Sequence, residues 1–332
     1  MYQTKNFCSF KIIFDYFRPR LCGIGGLFIW LLIGNLFIIF IYIQMPKNIY
    51  NKHSINNFKR KYITISIENS QEKCGDLEIM MWRIASLYEL SIYLNRSMFF
   101  DRREKCLYEQ RDNFKEIFKN SENYFKLKKP NIDNIAIFGF AEHCCRFDDP
   151  ERLLNSHSTI IKITGSLLQS YKYLKLNKEK ERIRKLFEFN KSIIERSNKY
   201  SQQLFKNDTF SYKLCVHIKR EDFIELGQSN INFFNLLDSM EGLTIYKPLI
   251  RNRGVLLNFA ISKCNSLLIT ASTSIQAWWI GYLMPKGSPI YYNNCQGINC
   301  LNILKKDYFP PEWLPLTFNV KGNIILDDNP YE

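Results

Sequence analysis

The chain has 332 residues, enough for one large or two modest domains, and nearly half of them are hydrophobic, which excludes disorder as the default. Its net charge is +14, from 46 basic and 32 acidic residues, and this favours an anionic partner: nucleic acid, a lipid surface or a nucleotide sugar. The cations are dispersed and carry no basic repeat or zinc-finger spacing, so nucleic-acid binding is the weaker of these readings.

Residues 1–20 form a short polar tail with Lys5, Lys11, Arg18 and Arg20. Leu21 to Met45 contains no charged residue and is rich in Ile, Leu and Phe, long enough to cross a bilayer as a helix. The sequence after it, Gln44-Met-Pro-Lys47, does not offer the small-residue site of a cleaved signal peptide. The stretch therefore reads as a transmembrane signal anchor over 21–45, with 1–20 as a cytoplasmic tail. Basic residues flank it on both sides and do not set its orientation. Two features favour a lumenal C-terminal part. Asn95, Asn190 and Asn207 each open an N-glycosylation acceptor sequence. Eight of the ten cysteines follow the span, as expected in an oxidising compartment.

Residues 46–60 are Asn/Lys-rich and read as a stem. Lys61-Tyr-Ile-Thr-Ile-Ser-Ile67 alternates with strand period and opens the globular part. Gly75-Asp-Leu-Glu-Ile-Met-Met-Trp82 reads as a loop. A helix follows, with Ile84, Leu87, Tyr88, Ser91 and Leu94 on one face, and then a short strand at Met98–Phe100. Strand, loop, helix and strand make a βαβ unit whose first loop faces the carboxyl edge of the sheet. Asn134–Gly139 reads as a further strand. His143-Cys-Cys145 lacks a second Cys/His pair at zinc spacing, so disulfide or buried-thiol roles are preferred to a metal site. No Asp-x-Asp occurs, so a metal-bound nucleotide sugar is not indicated.

In the segment Ile163-Thr-Gly-Ser-Leu-Leu-Gln-Ser-Tyr-Lys-Tyr-Leu174, Tyr171 and Tyr173 read as packing residues. Lys213-Leu-Cys-Val-His-Ile-Lys-Arg-Glu-Asp222 begins as a buried strand and ends in two cations and two carboxylates. Charges at the carboxyl end of such a strand lie where open α/β sheets bind ligands, and two cations suit a diphosphate. A frayed, solvated strand end is the plain alternative. Ser266–Thr270 is a buried-strand pattern that runs into Ala271-Ser-Thr-Ser-Ile-Gln-Ala-Trp-Trp279. A strand, a hydroxyl-rich turn and a helix N-terminus together make a phosphate-binding geometry. The double tryptophan fits core packing better than a sugar platform. Cys295 and Cys300 bracket a turn that could hold a small disulfide loop.

Together these segments resemble glycosyltransferase family 11, the α-1,2-fucosyltransferases. His217, Arg220 and Asp222 fall on its His-x-Arg-Arg-x-Asp motif, with Lys219 at the first arginine. Gly75, Leu77, Met81 and Trp82 match its Gly-Arg-Leu-Gly-Asn-Gln-Met-Phe loop, but Glu78 and Ile79 replace the second glycine and the asparagine. Gln169, Ser170, Lys172 and Tyr173 match a Gln-Ser-Trp-Lys-Tyr segment. Ser274 to Trp279 align with Ser-Thr-Phe-Gly-Trp-Trp, with Gln276 at the aromatic position, and Leu256 stands where the family carries an acid. Phe309-Pro-Pro-Glu-Trp313 is similar to its closing segment.

The resemblance implies an α/β, GT-B-like fold of two Rossmann-like halves behind the anchor. Residues 61–205 would form the acceptor side and 206–332 the GDP-sugar side. It implies a Golgi type II, single-pass enzyme with a lumenal C-terminal part. The reaction would be inverting, metal-independent transfer of L-fucose from GDP-fucose to a glycan hydroxyl, such as O2 of galactose. Lys219, Arg220, Thr273, Ser274 and Gly75 would hold the donor, and Arg220, His217 and Asp222 would serve catalysis. No cofactor is implied beyond the donor. The replaced positions Ile79, Lys219, Leu256 and Gln276 motivate the other reading, an inactive relative that binds glycans or acts as a scaffold in the membrane.

Overall fold

The computed structural model describes residues 60–67, 74–130, 134–165, 167–177, 180–206, 208, 210–218, 243–294 and 303–328. The predicted anchor at 21–45, and the Cys295–Cys300 loop, lie outside them. No helix among the described residues is long and apolar enough to cross a membrane.

Two mainly parallel sheets organise the chain. In the first, β1 (Tyr62–Ile65) is flanked by β2 (Ser97–Met98) on one side and by β6 (Ile160–Ile163) and β5 (Ile135–Phe138) on the other. All its pairings are parallel, so its carboxyl ends share one edge. β1 and β2 are joined by α1 (Leu77–Tyr93), which confirms the βαβ unit. The stretch read as a loop is mostly the start of this helix. Its apolar residues continue unbroken into the helical run, and the helix is buried on nearly all sides rather than along one stripe. The predicted strand at 98–100 is divided: β3 (Phe100–Asp101) leaves the first sheet to pair with β4 (Leu127–Lys128). Between them lie α2 (Cys106–Ile117) and α3 (Ser121–Tyr124).

The second sheet contains β7 (Leu214–His217), β8 (Ser266–Ile269), β9 (Ile290–Asn293), β10 (Leu314–Phe318) and β11 (Ile324–Leu326), adjacent in that order. Only β11 runs antiparallel. Every residue of β8 is buried, as its short apolar run requires of a central parallel strand. α4 (Lys180–Leu186) and α5 (Lys191–Phe205) precede this sheet, α6 (Arg253–Lys263) leads into β8, and α7 (Ile275–Leu283) follows it. A last short helix, α8 (Lys305–Tyr308), precedes β10. Tyr200 and Phe205 of α5 pack on Phe259 of α6.

Both sheets belong to one unit, residues 59–332. Their connection is aromatic. Trp82 of α1 meets Trp278 and Trp279 of α7 at ring-centroid distances of 4.1 and 5.1 Å. The two indole N–H groups of α7 donate to Tyr308 O and Glu78 O, both at 3.0 Å. The double tryptophan is therefore core, as its satisfied polar edges and complete burial require. The Gln-Ser-Tyr-Lys-Tyr segment is also structural. Ser170 Oγ donates to Asp307 O at 2.6 Å, and Lys172 pairs with the buried Asp307 carboxylate at 2.5 Å. Tyr173 is buried, and its hydroxyl accepts from Asp148 N at 2.8 Å. Gly165, closing β6, allows a close backbone approach. A Cβ there would lie 2.0 Å from the Phe140 and Ala141 carbonyl oxygens.

Disulfides tie loops to helices. Cys74 is joined to Cys106, and Cys215 of β7 to Cys264 at the end of α6. Cys144 and Cys145 are joined to each other, one of the two roles that the sequence left open, and His143 beside them is exposed.

Candidate functional site

The site is built at the carboxyl edge of the second sheet. β7 ends at His217, opposite Ile269 of β8. The chain then turns through Thr270–Ser274 into α7. Thr270 anchors this turn, with both its amide and its hydroxyl donating to His217 O, at 3.2 and 2.9 Å. Ser272 Oγ donates to Asn293 O at the end of β9. Ser274 is the N-cap of α7, and its Oγ accepts from Ala277 N at 3.4 Å. The same Oγ lies 3.5 Å from His217 Nε2. Sequence reasoning placed His217 and Ser274 at one edge, and the structure makes them neighbours. Thr273, half-buried, lies in the same turn. Lys219, Arg220 and Asp222, which follow His217 in the chain, lie outside the described residues.

The first sheet contributes the entry to α1. Gly75 has φ of +65°, and a Cβ there would meet Ile79 Cγ2 at 2.8 Å, so glycine is required by the turn itself. Gln110 Nε2 donates to its carbonyl at 3.0 Å. Asp76 stands at the N-cap of α1, but its side chain makes no capping bond. Instead it pairs with Arg253, the first residue of α6, at 2.9 Å. Arg253 Nη1 also lies 3.6 Å from Glu78. Gln276, in the first turn of α7, donates to the other Glu78 oxygen at 3.3 Å. Burial raises the Glu78 pKa above its ordinary value, and the Arg253 charge opposes that shift. Reading single positions marks Glu78 only as a replacement for a motif glycine and gives Arg253 no role. The available signal was that two departures from the resembled motifs, Glu78 and Gln276, fall at the starts of α1 and α7, and here they touch. Leu256, at the family's acidic position, is half-buried on α6 within one turn of Arg253 and brings no charge.

The three glycosylation candidates are unequal. Asn95 is exposed in the turn after α1. Asn190 is the N-cap residue of α5, and its Nδ2 donates to the Lys115 and Glu116 carbonyls at 2.7 and 2.9 Å. Asn207 lies outside the described residues. A groove of about 490 Å³, lined by Phe205, Lys206, Tyr212, Lys213 and Asn265, lies at the amino ends of β7 and β8, away from the His217 edge.

No protein-family model matches the chain. A galactoside 2-alpha-L-fucosyltransferase of Caenorhabditis elegans is 24% identical over 337 residues, covering 87% of this chain and 93% of that protein. A putative galactoside 2-alpha-L-fucosyltransferase of the same organism is 25% identical over 311 residues, covering 79% and 81%. Among solved structures, the fucosyltransferase NodZ from Bradyrhizobium is 12% identical at a TM-score of 0.42, covering 81% of this chain and 99% of that one. NodZ alpha-1,6-fucosyltransferase soaked with GDP-fucose is 14% identical at 0.44, covering the same shares. The sequence likeness to galactoside 2-alpha-L-fucosyltransferases spans most of the chain at 24–25% identity; a divergent, family-11-like member fits it, and it supports glycosyltransferase as the enzyme class.

Proposed function

We propose that the protein is a Golgi type II membrane fucosyltransferase with a GT-B-like lumenal part. It transfers L-fucose from GDP-fucose to a glycan hydroxyl, O2 of a galactose, with inversion at the anomeric carbon. The observation that carries this reading is the contact of Ser274 with His217 at the carboxyl edge of a parallel sheet, where a helix begins. Amides at a helix start favour an anion, and the cations Lys219 and Arg220 follow His217 closely in the chain.

In the reaction, the acceptor oxygen attacks the anomeric carbon of fucose. The bond from that carbon to the β-phosphate oxygen breaks, and GDP leaves with its electron pair. Lys219 and Arg220 stabilise the departing diphosphate, assisted by the turn at Thr273 and Ser274 and by the backbone at Gly75. Fixed charges and dipoles of this kind act where negative charge develops. The hydroxyl proton passes to a base, for which His217 and Asp222 are the candidates. No metal or other cofactor takes part, in keeping with the absence of Asp-x-Asp from the sequence.

A second reading, an inactive relative that binds glycans or serves as a scaffold, draws on one observation. The Glu78 carboxylate faces Gln276 at the start of α7, beside the turn that would hold the diphosphate. Calorimetric titration of the full chain in detergent with GDP and GDP-fucose separates the two. Saturable binding that Arg220→Ala abolishes, with an unchanged melting temperature, supports the enzyme. Absence of binding by the folded protein refutes it and leaves the scaffold.

A further inference from the structure

Arg253 is placed against its own electrostatics. It is the first residue of α6, where the helix dipole presents positive charge and a cation is unfavourable. Two carboxylates of the α1 entry, Asp76 and Glu78, hold it there. Glu78 is in turn bound by Gln276, at the start of a second helix. A guanidinium and an amide, each at a helix N-terminus, thus converge on one internal anion. The chemistry of that setting is the chemistry that holds a phosphate.

Exposure separates the partners. The Glu78 side chain is 4% exposed and that of Arg253 is 48% exposed. The Arg253 side chain is about half open to solvent, while that of Glu78 is buried. Glu78 stands where the resembled motif has a glycine, and Gln276 where it has an aromatic residue. The two differences meet in one hydrogen bond, so they act together.

We infer that Glu78 sets the affinity of the site for nucleoside diphosphates by competing with the donor's phosphates for Arg253. This rests on the donor reading above. An arriving diphosphate meets a guanidinium already engaged by two carboxylates, and it binds Arg253 only by drawing it away from Glu78. Arg253 is then a donor-gripping cation, and Glu78 is a positioning residue that restrains it.

The test is a comparison of GDP and guanosine binding to the full chain in detergent, by calorimetry. Glu78→Gln keeps the size and hydrogen-bonding capacity but removes the charge. It should tighten GDP about fivefold, the scale of one screened charge-assisted contact, and leave guanosine unchanged. Arg253→Gln should weaken GDP about tenfold on the same scale and erase the effect of Glu78→Gln in the double variant. Melting temperatures confirm that each variant is folded, and Glu78→Asp should retain wild-type affinity. Equal GDP affinity in the wild type and Glu78→Gln overturns this inference and leaves the fucosyltransferase reading standing. Full GDP affinity in Arg253→Gln overturns it too. Absence of GDP binding in the wild type and in every variant overturns both.

Discussion

Asp307 offers a measurable test of how the two halves are joined. Its side chain is 6% exposed and serves two partners: Lys172 Nζ at 2.5 Å and Phe147 N at 2.9 Å. Breaking a buried ion pair costs about 3–5 kcal/mol. Lys172, however, is 37% exposed, and water screens a charge of that exposure. The pair is therefore assigned about 1–2 kcal/mol. Loss of the acceptor for Phe147 N adds about 1 kcal/mol. Asp307→Ala should then destabilise the protein by about 2–3 kcal/mol, or about 5 °C in melting temperature for a unit of this size. Asp307→Asn keeps an acceptor for Phe147 N and loses only the charge, so its loss should be about half as large. The backbone carbonyl of Asp307, which accepts from Ser170 and Tyr171, is untouched in both. Thermal denaturation of the full chain, followed by circular dichroism, reads the two shifts. If Asp307→Ala melts within about 1 °C of the wild type, the contact does not fasten the halves and the reasoning fails.

Three further outcomes are expected. The Arg184 guanidinium donates to the carbonyls of Tyr282, Leu283 and Met284, capping the C-terminus of α7, so Arg184→Ala should cost about 1–3 kcal/mol in urea denaturation; an unchanged midpoint would show the cap to be idle. The raised pKa of Glu78 means that the fold favours its neutral form, so its contribution is most favourable below its ordinary 4.5 and is lost as pH rises through the folded value. The stability of Glu78→Gln relative to the wild type should accordingly improve from about pH 4 toward neutrality, and a pH-independent difference would contradict the assignment. Expressed in a secretory host, the protein should carry a glycan at the exposed Asn95 in preference to Asn190, whose amide is engaged by two carbonyls; peptide mapping after enzymatic deglycosylation would detect the reverse pattern.

Strands were the most legible part of the fold. β1, β5, β7 and β8 each come within a residue or two of runs with plain apolar patterning. Burial was less legible: β1 and β8 are buried, but β7, expected to be buried, and β5 lie at the edges of their sheets and are only partly covered. The start of α1 was not legible. Gly75 marks a turn, and the helix begins two residues later without a side-chain cap, because Asp76 is drawn away by a residue far along the chain. The same long range hid half of the site. His217 and Ser274 could be placed at one edge because a strand end and a helix start are local signals. Glu78, Arg253 and Gln276 come from three separate segments, and only the packed chain brings their charges together. Reading positions singly, Gln276 looked like a lost aromatic contact. In the structure it is one partner of a polar pair.

The aromatic connection has a consequence for inheritance. Trp82 comes from the first half of the chain, Trp278, Trp279 and Trp313 from the second, and Trp278 touches both Trp82 and Trp313. None of these rings can change size without opening a gap or a clash on the other side. Substitutions here are tolerated only in compensating sets, so lineages of this protein should drift at the cluster in concert and not one position at a time. Chimaeras that take residues 61–205 from one relative and 206–332 from another should therefore fold poorly unless the rings are exchanged with them. The halves look modular in topology, but their shared aromatic packing couples them.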